Sequence, residues 1–145
     1  MPVYIGQKTV DKIADHAEDT YPDECCGFFF GKGGENRHIY RSYRVDNSKE
    51  GDQRRRFQIS PKDYKEAEQF ALDNDLDLLG VYHSHPDHPA EPSEHDRSVA
   101  MPWFSYIIVS VRDEEAVDVR SWRLDEERQF KEEKLAFKNL ESEGS

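Results

Sequence analysis

The chain has 145 residues, enough for one hydrophobic core and too few for two comfortable ones, so one domain over residues 1–140 with a short flexible tail at 141–145 is expected. Twenty Lys and Arg residues against 31 Asp and Glu give a formal net charge of -11, which repels a phosphate backbone and argues against nucleic acid or an anionic membrane as partner. No apolar run approaches the roughly 18 residues of a membrane span, and Met1-Pro2-Val3-Tyr4 lacks the basic and apolar stretches of a secretory signal, so a cytoplasmic location is expected.

Val10, Ile13, Ala14 and Ala17 recur at helical spacing and predict an amphipathic helix over 9–19, ended by Tyr21-Pro22. Cys25 and Cys26 are adjacent, where a mutual disulfide would be strained and would close almost no loop. Beside Gly27-Phe28-Phe29-Phe30 they read as small packed residues of a buried strand, in keeping with a reducing compartment; metal ligation or a reactive thiol is the alternative. Residues 27–31 and 38–45 read as strands joined by a glycine-containing turn at 32–36.

Residues 46–56 are polar and carry no apolar period, which predicts an exposed loop that could lie over a site. Arg54, Arg55 and Arg56 depart most sharply from the acidic background. A solvated surface is the plain reading of that run; receipt of an acidic partner or a substrate carboxylate is the functional one.

Ser60-Pro61 opens a second helix that runs to about Asp73, with Tyr64, Ala67, Phe70 and Ala71 on one face. Leu76, Leu78, Leu79, Val81 and Tyr82 form an apolar run that delivers the chain into His83 as a buried central strand would. Pro86, Pro89 and Pro92 then enforce a turning loop. Ser93 suits the N-cap of a helix through Ala100. Two strands over 103–111 and 116–124 follow, and last comes a charged helix over 126–140 with Phe130, Leu135 and Phe137 on its apolar stripe. The alternation of helices and strands predicts an α/β protein with a mixed, partly antiparallel sheet.

The chemistry concentrates between Tyr82 and Asp96. On a strand His83 and His85 point to the same face while Ser84 faces away, so two imidazoles can converge on one point. Asp96 can add an oxygen ligand at roughly 2.0–2.2 Å, and three protein ligands leave a fourth position for water, as hydrolytic zinc sites do. His88 and His95 could replace a histidine ligand, and Glu91 or Glu94 the carboxylate. As a bare ligand set the trio also matches the two-histidine, one-carboxylate iron centres of oxygenases, although those place the carboxylate directly after the first histidine. Iron or manganese is an alternative occupant.

The same residues resemble the signature of the JAMM (MPN+) metalloproteases: His83-Ser84-His85, ten residues beginning with Pro86, then Asp96, with Ser93 completing Ser-x-x-Asp and Glu24 far upstream in Asp23-Glu24-Cys25-Cys26-Gly27. The resemblance implies an MPN/JAMM fold, a curved mixed sheet flanked by helices with a cytidine-deaminase-like architecture. It also implies one Zn2+ per chain on His83, His85 and Asp96, with Glu24 as catalytic acid/base. Ser93 could donate to the oxyanion of the tetrahedral intermediate or serve only as a helix cap.

Tyr21-Pro22-Asp23-Glu24-Cys25-Cys26-Gly27 and the compact loop through Ser93 look like the prokaryotic members that act on ubiquitin-like sulfur carriers. That similarity implies hydrolysis after a carrier's C-terminal Gly-Gly, for instance releasing cysteine, and is compatible with a homodimer. A deubiquitinase-like enzyme on another ubiquitin-like substrate and a catalytically inactive MPN scaffold module are the rival readings, the second weakened here by the complete ligand set. A structural or storage site is poorer still, since closed structural sites use four protein ligands.

Overall fold

The structure, a computed structural model, describes residues 2–138. In chain order it comprises β1 (Val3–Gly6), α1 (Gln7–Thr20), β2 (Cys26–Lys32), β3 (Arg37–Val45), α2 (Pro61–Asp73), β4 (Asp77–Pro86), α3 (Glu94–Val99), β5 (Ser105–Arg112), β6 (Glu115–Leu124), β7 (Phe130–Glu133) and β8 (Leu135–Lys138). The described strands form one sheet in the order β7-β6-β5-β4-β2-β3-β1-β8. β4 lies inside it, parallel to β5 and antiparallel to β2. This is the expected α/β architecture, a mixed sheet flanked by helices.

Strand periodicity divides the core in two. Phe29 points to the face covered by α1, where it meets Val10, Ile13 and Ala17 with Tyr82 and Ile107. Phe28 and Phe30 point to the other face, against Ala67 and Ala71 of α2 with Val81 and Tyr106. With both faces covered, β2 reads as an unbroken apolar run. The register of β2 shifts against β4 at Phe29/Phe30 and against β3 at Phe30/Gly31, and such bulges bend a sheet. Gly80 lets β4 approach β5, since a Cβ there would lie 1.9 Å from the Ser105 carbonyl oxygen.

Local signals account for the helix starts. Ser60 accepts a hydrogen bond from the Asp63 N–H and Pro61 occupies the first turn of α2. Cys25 and Cys26 are buried and unpaired, and burial pushes the Cys25 thiol up to about 12, so these are packed residues and not reactive thiolates.

The C-terminal region departs from expectation. The helix predicted over 126–140 is replaced, within the described residues, by β7 and β8. Asp125 Oδ1 accepts from the Glu127 and Gln129 N–H groups, each at 2.9 Å, and this turn folds Phe130 back onto Leu124 of β6. Leu135 and Phe137 have period two, not the helical period, and β8 lies parallel to β1 with Val3 opposite Leu135. Strand pairing thus overrides the helix-favouring charged composition. β1, only four residues long, was not anticipated at all. Residues 139–145, including Leu140 and the expected tail, lie outside the described residues.

Candidate active site

β4 carries His83 and His85 at its C-terminal end, with His83 opposite Ile108 of β5 and Cys26 of β2. Both side chains project to one face, their ring centroids 4.9 Å apart. Ser84 faces the other way, its Oγ accepting the Cys25 N–H at 2.8 Å. Pro86 closes the strand, and the loop that follows returns to α3. Ser93 caps this six-residue helix: its Oγ accepts the Asp96 N–H at 3.1 Å, while the Ser93 N–H donates to Asp96 Oδ2 at 2.9 Å. The capping box bends Asp96 back toward the strand end.

Three donor atoms therefore meet. His83 Nε2 and His85 Nε2 are 3.1 Å apart, and Asp96 Oδ2 lies 3.3 Å from the first and 3.1 Å from the second. A tetrahedral ion ligated at roughly 2.0 Å needs ligand edges of roughly 3.3 Å, so the triangle has the size that zinc requires. The tautomers agree with this. His85 Nδ1 lies 2.9 Å from the Pro89 carbonyl, an acceptor only, so Nδ1 must donate and Nε2 turns a lone pair toward the carboxylate. Two facing acceptors need a positive centre between them, a proton or a metal ion.

Burial sharpens that demand, since His83 is 1% exposed, and His85 and Asp96 8% each. Burial lowers the His83 pKa against the pull of Asp96. At His85 burial also opposes protonation, but the Asp96 carboxylate and the Pro89 carbonyl outweigh it and raise the pKa. Burial would raise Asp96, yet the two imidazoles and the Ser93 N–H hold it well below the usual carboxylate range, so it stays an anionic oxygen donor.

Glu24 enters from the segment before β2. Its carboxylate and the two imidazoles offer atoms all within 4.8 Å of one another. Only 4% exposed, Glu24 has its pKa pushed up to about 8, chiefly by burial and partly offset by His85. The loop over 46–60 fixes its backbone: the Glu24 N–H donates to the Gln53 carbonyl at 2.7 Å, and Asn47 Nδ2 donates to the Glu24 carbonyl at 3.1 Å.

The structure thus brings together Glu24, His83, His85, Ser93 and Asp96, and the loop expected to lie over the site flanks Glu24. His88 lines the same cleft from the proline-rich loop, while His95 faces a separate cavity beside Phe57 and Val99. Sequence reasoning missed Phe57, whose ring stacks on His83 with centroids 4.4 Å apart, and the orienting Pro89 carbonyl. Phe57 carried no periodic signal in a polar stretch, and a backbone carbonyl has no residue-type signature.

A buried two-histidine, one-aspartate cluster at the end of a central strand, beside the buried Glu24 carboxyl, is a donor set that could hold a metal ion. The sequence model described as prokaryotic homologs of the JAB domain matches residues 6–125. The chain belongs to this prokaryotic JAMM/MPN family.

It is 30% identical over 127 residues to the CysO-cysteine peptidase of Mycobacterium tuberculosis, covering 79% of this chain and 77% of that protein. It is 34% identical over 102 residues to the tail tip assembly protein K of an Escherichia phage, covering 67% of this chain. The match spans only 37% of the phage protein's own length. A solution structure of a Desulfitobacterium hafniense protein superposes with a TM-score of 0.85 at 27% identity, covering 98% and 97% of the two chains. A JAB1/MPN domain protein from Archaeoglobus fulgidus shares the fold, with a TM-score of 0.57 at 17% identity over 94% and 96% of the chains.

Proposed function

We propose that the protein is a zinc-dependent peptidase that cleaves the bond after the C-terminal Gly-Gly of a ubiquitin-like sulfur carrier, releasing a terminal residue such as cysteine. The observation that carries this reading is the convergence of His83 Nε2, His85 Nε2 and Asp96 Oδ2 at 3.1–3.3 Å with the buried Glu24 carboxyl beside them. The likeness to the CysO-cysteine peptidase supports the substrate class. Among the described residues no helix is long and apolar enough to cross a membrane, and the reading takes the protein to act in the cytoplasm.

His83, His85 and Asp96 would hold the zinc, which when bound supplies Lewis-acid polarisation of the substrate carbonyl and lowers the pKa of water toward about 7. The Pro89 carbonyl fixes the His85 ring, and the α3 capping box fixes Asp96. Glu24, a buried carboxyl beside the two imidazoles, can take a proton from the attacking water and return it to the leaving amine. Ser93 uses a lone pair to cap α3, which leaves its O–H free to donate to the developing oxyanion. Capping and catalysis are therefore compatible at this residue.

The substrate class is tested with a carrier adduct whose penultimate glycine is replaced by a bulky residue. A narrow cleft that accepts the Gly-Gly tail by backbone contacts predicts cleavage of the native tail and none of the variant. Equal cleavage of both would remove the Gly-Gly requirement. The 34% identity with the phage protein favours a second reading, in which the same peptidase chemistry serves tail-tip assembly; inert carrier adducts alongside cleavage of a tail-tip polypeptide would select it.

A further inference from the structure

The cleft of about 490 Å³ beside the candidate zinc ligands is lined by Glu24, His85, His88, Glu91, Ser93 and Arg55. Glu24 and Glu91 bring two carboxyl groups to its wall. Arg55 is the one Lys or Arg among the described residues that line it. A guanidinium presents two parallel N–H donors that match a carboxylate.

The backbone around Arg55 is held by its loop. Two residues before it, the Gln53 carbonyl accepts the Glu24 N–H at 2.7 Å, and Gln53 Nε2 ties back to the Asn47 and Lys49 carbonyls. One residue after it, the Arg56 carbonyl accepts from Asn47 Nδ2 at 3.0 Å, and the same amide group bonds the Glu24 carbonyl. The backbone on either side of Arg55 is thus fastened to the residues that position Glu24. The guanidinium pairs with Asp52 at 3.7 Å, with both side chains largely exposed, so this contact competes weakly for it.

We propose that Arg55 binds the free α-carboxylate of the residue being released, making the enzyme selective for the last peptide bond of its substrate. The inference rests on the peptidase reading above. In a substrate with one residue after the scissile bond, the α-carboxylate is two bonds from the scissile nitrogen. That short reach puts it within the cleft that holds Glu24, where Arg55 is the lining Arg. An internal peptide bond, an isopeptide bond or an amidated terminus presents no carboxylate there.

The test compares steady-state kinetics of the zinc-loaded full chain on a carrier-tail peptide ending Gly-Gly-Cys as the free acid, as the C-terminal amide, and extended by one residue. Wild type favours the acid in kcat/KM by roughly tenfold to a hundredfold, the range of one charged hydrogen-bonded contact, with the difference chiefly in KM. Arg55→Gln brings the acid-to-amide ratio toward one, Arg55→Lys recovers part of it, and Arg54→Gln, at a neighbouring position off the cleft wall, keeps it. A wild type indifferent to amidation, or an Arg55→Gln variant that keeps the preference, overturns the proposal.

Calorimetric binding of the same peptides to zinc-loaded Glu24→Gln protein, with and without Arg55→Gln, separates this from a failure of the peptidase reading. Acid-selective binding that depends on Arg55 without any cleavage in the wild type would leave the carboxylate site standing and remove the peptidase. Binding without acid selectivity would remove the carboxylate site.

Discussion

Ser93 and Asp96 cap each other across the first turn of α3, through bonds of 3.1 Å and 2.9 Å, so the carboxylate aimed at the two histidines is also part of the helix's N-terminal cap. Ser93→Ala therefore affects two things. Loss of the cap lowers stability by about 1 kcal/mol, and loss of the hydroxyl lowers kcat by roughly a hundredfold to a thousandfold if Ser93 donates to the oxyanion. Ser93→Gly separates them, because glycine caps almost as well as serine yet has no donor. Thermal melts and kcat of both variants are the measurement. Near-normal stability with lost turnover in Ser93→Gly is expected, and normal turnover would leave Ser93 only a cap.

Glu24 predicts a pH dependence in the chelated protein. Its folded pKa, about 8, lies above the ordinary 4.5, so the folded state holds a proton that the unfolded chain gives up. The associated stability is complete below pH 4.5 and is lost as pH rises through about 8, a change of a few kcal/mol. Glu24→Gln stays neutral throughout. The difference in melting temperature between this variant and wild type, both chelated, should widen in the variant's favour from pH 5 to pH 8.5, while the zinc-loaded variant turns over at least about a hundredfold more slowly than zinc-loaded wild type.

His16 predicts the opposite slope on the acid side. It is buried against the Tyr82 hydroxyl, 2.7 Å from Nδ1, and burial lowers its pKa from 6.5 to about 4. Stability from this group is complete above pH 6.5 and is lost as pH falls through 4, roughly 3 kcal/mol in all. His16→Gln should flatten that part of the stability profile relative to wild type. A profile unchanged between pH 6.5 and 4 would show that His16 does not titrate as its burial implies.

Much of this arrangement was legible in the sequence, for identifiable reasons. His83 and His85 share a face because strand periodicity is two, and Ser93 and Asp96 sit three apart because a capping box requires it. Glu24 is different: nothing local distinguishes it among 31 acidic residues, and only the family resemblance pointed to it. Its burial and its tie to Gln53 and Asn47 depend on a loop whose hydrogen bonds have no periodic signature. β8 was misread because Leu135 and Phe137 were assigned to a helical stripe, when their partner, β1, lies more than 130 residues earlier in the chain.

Metal binding should also be visible in stability. If His83, His85 and Asp96 hold zinc in the folded state only, as proposed, free zinc at about a thousand times its Kd adds about 4 kcal/mol. For a chain of this size that is a rise in Tm of roughly 10 °C. Asp96→Asn should abolish most of the zinc-dependent rise in a calorimetric scan. An equal rise in that variant would move the site elsewhere.

The most direct test is mass spectrometry of a sulfur-carrier adduct ending Gly-Gly-Cys after incubation with zinc-loaded wild type, chelated wild type and zinc-loaded Glu24→Gln. The account predicts loss of the terminal residue with zinc-loaded wild type alone. An intact adduct after incubation with wild type shown to hold one zinc would contradict it, as would equal cleavage by the chelated enzyme.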